Sequence, residues 1–130
     1  MKIYRDFNEK ACTRVARLSG VKQCYDDVRY ARLMYHYKPS QLYCLRSELF
    51  FLLGCLSSRT LRIIGIAVIE SEQRKGWGKR LLKQAIQDAK ARGGVNLITT
   101  LTESGADFYA KQGFDIVGTK GREYIMQLKI

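Results

Sequence analysis

Residues 70–80 read Glu-Ser-Glu-Gln-Arg-Lys-Gly-Trp-Gly-Lys-Arg, a spacing of glycines and cations suited to holding an anion. An apolar run over residues 63–69 precedes it and an amphipathic pattern follows it, which predicts a strand, a glycine-rich turn and a helix N-terminus. Backbone N–H groups at a helix start lack intrahelical partners, and the helix dipole favours negative charge there. Gly76 and Gly78 allow a phosphate to approach the backbone where a Cβ would obstruct it. Arg74, Lys75, Lys79 and Arg80 add positive charge around the same turn. The chemistry implied is capture of a phosphate or pyrophosphate. Other reactive groups are sparse. His36 is the only histidine and has no partner nearby in the sequence, so it reads as structural. Cys12, Cys24, Cys44 and Cys55 have no C-x-x-C spacing and no histidine cluster beside them, which predicts reduced, buried thiols and no metal.

The elements that must position this turn alternate along the chain. Residues 2–7 alternate apolar and polar types and predict a short first strand. Asn8 is a candidate N-cap for a helix carrying Ala11, Val15 and Leu18 on one face and ending at Ser19-Gly20. A second helix is predicted from about residue 25 to 37, with Asp26 and Asp27 in its first turn and Pro39 forbidding its continuation. Its tyrosines, Tyr25, Tyr30, Tyr35 and Tyr37, could line an acceptor pocket or serve as half-buried packing. Residues 41–46 and 48–56 read as a hairpin around Ser47-Glu48, and a further turn at residues 57–59 leads into a strand over 61–69. The run Leu49-Phe50-Phe51-Leu52-Leu53 is apolar on both faces and predicts a central strand covered on both sides. After the glycine turn, Leu81, Leu82, Ala85, Ile86 and Ala89 form one apolar helical stripe that ends at Gly93-Gly94. A strand over 95–101, a short helix capped by Ser104, and strands near 114–119 and 122–129 complete the order.

At 130 residues, with 46% apolar and 11% aromatic content, the chain is expected to fold as one ordered domain over 1–130. No apolar run reaches the length of a membrane span, and the opening residues lack a signal-peptide core. A cytoplasmic protein with no membrane association is expected. The formal charge is +11, yet the basic residues are scattered, with seven of 23 in the segment from Arg74 to Arg92. No arginine run or basic tail is present, so an anionic small ligand is favoured over nucleic acid, which stays as an alternative partner.

Taken together, the order β-α-α-β-β-β-α-β-α-β-β and two motifs resemble the GNAT superfamily of acetyl-CoA-dependent N-acetyltransferases. The family's coenzyme motif, [Gln/Arg]-x-x-Gly-x-[Gly/Ala], is matched at every position by Gln73-Arg74-Lys75-Gly76-Trp77-Gly78. A second motif, Phe-Tyr-x-x-x-Gly-Phe, is matched by Phe108 to Phe114. The resemblance implies an α/β fold: a mixed, mostly antiparallel sheet of about six to seven strands flanked by about four helices, splayed between strands 61–70 and 95–101. It implies that Ile66, Ala67 and Val68 hold the pantetheine arm through their backbone, as an added strand would be held. The turn from Gln73 to Arg80 would wrap the pyrophosphate. Tyr109 would act as general acid to the leaving thiolate, and the Val68 N–H could polarise the thioester carbonyl. The expected partners are acetyl-CoA and an amine acceptor, and the expected assembly is a monomer or homodimer.

Departures from the family pattern fall on the base. The position that carries a glutamate in histone-acetylating members is Arg62 here, and that of the N-terminal-acetylating branch is Leu97. Thr102 replaces the asparagine that often precedes the second motif. Glu70, at the strand end beside the site, is the nearest carboxylate, though a solvated turn explains it equally well. Asp26, Asp27 and Glu48 could each attract a cationic amine. Those gaps motivate a second reading, a non-catalytic module on the same scaffold that binds CoA or nucleic acid.

Overall fold

The computed structural model of the chain describes residues 2–130. Its elements run α1 (Glu9–Ser19), α2 (Gln23–Tyr37), β1 (Leu42–Arg46), β2 (Phe50–Ser57), β3 (Thr60–Val68), α3 (Trp77–Arg92), β4 (Leu97–Thr102), α4 (Ala106–Ala110), β5 (Asp115–Lys120) and β6 (Glu123–Lys129). Six strands form one sheet in the order β1-β2-β3-β4-β6-β5, antiparallel except for the β3–β4 pair. This is the α/β architecture expected, with four helices and a mostly antiparallel open sheet.

β2 supplies the spine. Phe50 to Cys55 are all buried, and alternation sends Phe50 and Leu52 to one face, Phe51 and Leu53 to the other. The first face packs under α3, where Leu81, Leu82, Ala85 and Ala89 are the buried stripe. The second is covered by α1 and α2 through Cys12, Val15, Ala16, Val28 and Ala31. A strand covered on both sides cannot alternate apolar and polar residues, which is why its run is continuously apolar.

Three expectations need correction. Residues 2–7 form no strand: Tyr4 alone bridges Arg46, by backbone bonds of 2.8 and 2.9 Å. From there Asp6 turns to Arg46, its carbonyl accepting from Arg46 Nε at 2.7 Å and its carboxylate pairing with Nη2 at 2.9 Å. Asn8 does cap α1, accepting from Ala11 N–H at 2.8 Å. The buried face of that helix, however, is Cys12, Val15, Ala16 and Ser19; Leu18 is exposed, because the small residues are those that let α1 approach the sheet. At the short helix the Thr102 hydroxyl takes the capping role, accepting from Gly105 N–H at 2.8 Å, and Ser104 does not cap.

The feature that shapes the site lies in β3. Its ladder to β4 covers only Thr60↔Leu97 to Ile63↔Thr100, after which β3 continues to Val68 against β2 while β4 continues against β6. At the same point β3 bulges: Leu53 pairs Gly65 and Gly54 pairs Ile63, leaving Ile64 as the extra residue. The bulge flips the strand's phase, so that Leu61 and Ile63 before it, and Ile66 and Val68 after it, share one face. The sheet therefore opens where the facing of β3 changes.

Candidate active site

A cavity of about 1050 Å³ occupies this opening, at the upper end of the ~1,000 Å³ range of small-molecule sites. It is bounded by α2, the β3–β4 gap, α4 and the β5–β6 turn. At the mouth beside α3, Gly78 and Phe108 face one another; a Cβ on Gly78 would meet the Phe108 ring at 3.5 Å. Among the described residues no helix is long and apolar enough to cross a membrane.

The turn before α3 has the geometry of an anion cradle. Arg74 and Gly76 both take positive φ, 66° and 85°, and nothing lies within 4 Å of a Cβ built on Gly76. Glycine is needed at Gly76 for its left-handed backbone, while the empty space in front of it is where a ligand can come close. No side chain caps α3, and its first intrahelical bond is Arg80 N–H to Gly76 C=O at 3.1 Å. The N–H groups of Trp77, Gly78 and Lys79 are thus left for a ligand.

The side chains around the turn divide into struts and free cations. Gln73 Nε2 donates to Ser19 C=O and Val68 C=O, both at 2.9 Å, tying the turn to the end of α1 and of β3. Glu72 holds Lys75 Nζ at 2.8 Å and Trp77 Nε1 at 3.3 Å, and these bonds keep its carboxyl below the usual range. Trp77 packs on Phe50 with centroids 5.5 Å apart, and the Arg80 guanidinium lies 4.7 Å over the indole. Arg74 and Lys79 are exposed.

Along β3, Ile69 N–H donates to Leu49 C=O at 2.9 Å, so alternation turns the Ala67 N–H toward β2 and those of Val68 and Ile66 into the opening. Of the three predicted strand residues, Ile66 and Val68 offer backbone donors to the gap. Ala67 is engaged with Phe51 instead.

Tyr109 is buried on the opposite wall, stacked edge-on between Phe108 at 5.1 Å and Phe114 at 5.3 Å. Burial pushes its phenol up to about 12, the neighbouring Thr100 hydroxyl opposes this, and the Asp27 charge adds to it. Thr100 itself donates to Ile63 C=O at 3.1 Å, a cross-link at the last rung before the sheet opens. The phenol is a protonated donor throughout the physiological range.

Glu70 lies in the 3-10 turn of residues Glu70–Glu72, exposed, with Oε2 against Gly20. It does not line the cavity, and neither does Glu48. Arg62 does, donating to the Tyr30 hydroxyl at 2.8 Å with its guanidinium 5.3 Å over that ring. Asp27 is the carboxylate that stands out. It is 8% exposed, faces the cavity from α2 and presses on the strand so closely that a Cβ on Gly65 would sit 2.0 Å from Oδ2. Burial raises its pKa to about 6, a bond from Gln23 pulls it down, and the charges of Asp26 and Glu123 raise it further. A sequence signal for it existed. With Cys24, Val28, Ala31 and Met34 it falls at helical spacing on the buried face of α2, a charge where the pattern asks for an apolar residue.

A splayed mixed sheet with an uncapped, glycine-started helix at the opening is a scaffold able to hold a phosphate-bearing ligand beside a chamber. The model of the acetyltransferase (GNAT) family matches residues 21–114, and the chain belongs to that family. No curated protein matches this sequence. Among solved structures, the chain resembles a protein from Desulfovibrio desulfuricans assigned to the GNAT acetyltransferases, with a TM-score of 0.79, 17% identity and 98% of both chains covered. It resembles the PaiA N-acetyltransferase of Thermoplasma acidophilum in complex with coenzyme A, at TM-score 0.75, 17% identity and full coverage of both chains. It is also similar to the ribosomal-protein-S18-alanine N-acetyltransferase of Escherichia coli, at TM-score 0.74 and 18% identity over 99% of this chain and 93% of that one.

Proposed function

We propose that residues 1–130 act as one unit catalysing acetyl transfer from acetyl-CoA to a primary amine. The observation that carries this reading is the joining of an uncapped, positive-φ helix start to a sheet opening lined by free backbone donors and a buried phenol. When bound, acetyl-CoA supplies an activated acyl group, so the protein needs mainly to align an amine with it.

This chain's residues then divide the work. The N–H groups of Trp77, Gly78 and Lys79, with Arg74 and Lys79 as exposed cations, hold the pyrophosphate. Lys75 and Arg80 shape the turn through Glu72 and Trp77. Ile66 and Val68 offer backbone bonds to the pantetheine arm, and the Val68 N–H is placed to polarise a carbonyl at the strand end. Tyr109 donates a hydrogen bond to the departing sulfur. A phenol near 12 lies about 3.5 units above an ordinary thiol near 8.5, so stabilising the thiolate is favoured over complete proton transfer.

The test is to bind acetyl-CoA calorimetrically to the wild type and to a Gly76→Val/Gly78→Val double variant. Binding by the wild type and its loss in the variant are expected; equal binding by both would overturn the assigned grip.

A further inference from the structure

We propose that Asp27 receives the acceptor's ammonium group, holding it by charge and taking the proton that must leave before the nitrogen can attack. The inference rests on the acetyltransferase reading above and makes the acceptor a cationic primary amine entering on the α2 side.

The geometry is specific. Asp27 projects from α2 onto the strand at Gly65, and the Ile64 bulge is what turns Gly65 toward α2. Any side chain at residue 65 would displace the carboxylate. Oδ1 has a single long bond from Gln23 Nε2, 3.4 Å, while Oδ2 has no hydrogen-bond or ion-pair partner among the described residues. A buried carboxylate held open toward a cavity lacks the cation its burial calls for.

The charges around it agree. Asp26 on the same helix and Glu123 on β6 repel its ionised form and favour an arriving cation. Arg62, the cation on the adjoining strand, is turned to the Tyr30 hydroxyl and ring. Lys120 and Arg122 line the β5–β6 turn, and neither forms an ion pair with Asp27. Tyr109 on α4 faces it across the chamber, close enough for the Asp27 charge to register on the phenol. A pKa near 6 suits a base that works at neutral pH.

The ammonium gives one proton to Asp27, which returns it to solvent. The neutral nitrogen then attacks the acetyl carbon; C–N forms and C–S breaks to a thiolate that accepts a hydrogen bond from Tyr109. The nitrogen releases its second proton to solvent, and the thiolate takes one up from solvent to leave as CoA thiol.

Asp27→Asn keeps the shape and removes the charge, and Gly65→Ala displaces the carboxylate. Both variants and the wild type are titrated with acetyl-CoA, and turnover is followed from pH 5 to 9 with cadaverine, spermidine and an alanine-terminated peptide. Retained acetyl-CoA binding with kcat/KM lowered about 100-fold or more and loss of the acid limb is expected for Asp27→Asn. A wild-type rate and pH profile in that variant would overturn the proposal. Loss of acetyl-CoA binding by the wild type would instead contradict the acetyltransferase reading. In the absence of acetyl-CoA, carbon NMR of the Asp27 carboxyl should show its titration moving to lower pH as cadaverine is added. An unmoved titration also overturns it, whether or not any amine turns over.

Discussion

Tyr109 and Asp27 sit on opposite walls of one chamber, and burial moves both titrations upward with opposite consequences. The phenol, at about 12, stays neutral and is available as a donor. Tyr109→Phe should therefore lower turnover roughly 10- to 100-fold while leaving acetyl-CoA affinity within about twofold; unchanged turnover would remove the phenol from the reaction. The carboxyl, raised from 3.8 to about 6, changes state near neutrality. Its folded form holds a proton that the unfolded chain has already released between pH 4 and 6. The associated stability is thus present below pH 4 and lost as pH rises through 6. Two pH units at 1.36 kcal/mol each correspond to a deficit of about 3 kcal/mol at pH 7.5. Asp27→Asn should raise the melting temperature at pH 7.5 and leave it nearly unchanged at pH 4; a variant less stable at pH 7.5 would contradict this balance. A residue that costs stability where the protein works is expected at a functional site. Asp26, Asp27 and Glu48 look alike in the sequence because each has an ordinary explanation as a helix-turn or loop acid. What separates Asp27 is its place on the stripe of Cys24, Val28 and Ala31, combined with a glycine from another element opposite it.

Among the elements, β3 and the start of α3 carry the candidate site. The geometry of the turn proposed to hold the coenzyme was legible because it is contiguous: one glycine turn sets the backbone, and its neighbours in sequence supply the struts. Gly76 takes φ 85°, so Gly76→Ala should destabilise the fold by about 1 kcal/mol and weaken acetyl-CoA binding several-fold, measured by calorimetry. KM for the amine should not change, because the α2 side of the chamber is untouched. The chamber proposed for the acceptor was not legible, since α2, β3, α4 and the β5–β6 turn meet there from distant parts of the chain. The bulge at Ile64 is marked only by Gly65, as Ile63-Ile64-Gly65-Ile66 otherwise reads as an apolar strand in either phase. Residues 2–7 mislead for a related reason. Their alternation suits a strand, but pairing ends at Tyr4 because the Asp6 carbonyl and carboxylate both turn to the Arg46 side chain.

At the scale of the molecule, one six-stranded sheet carries two apolar layers, and its partial opening between β3 and β4 joins the basic turn before α3 to a chamber containing Asp26, Asp27, Glu103 and Glu123. The chain's +11 charge steers polyanions, so the association rate of acetyl-CoA should fall about tenfold between low and high salt, read by stopped flow. Under the proposed function, acidic groups inside a basic protein would separate two substrates of opposite sign, acetyl-CoA at the α3 start and a cationic amine at α2. The most direct measurement is incubation of the purified protein with acetyl-CoA and a panel of cationic primary amines, following free CoA thiol and acetylated amine by mass spectrometry. Stoichiometric formation of both, abolished by the Gly76→Val/Gly78→Val double variant, is the predicted result. Tight acetyl-CoA binding with neither product formed across the panel would contradict it and would identify the chain as a binding module on this scaffold.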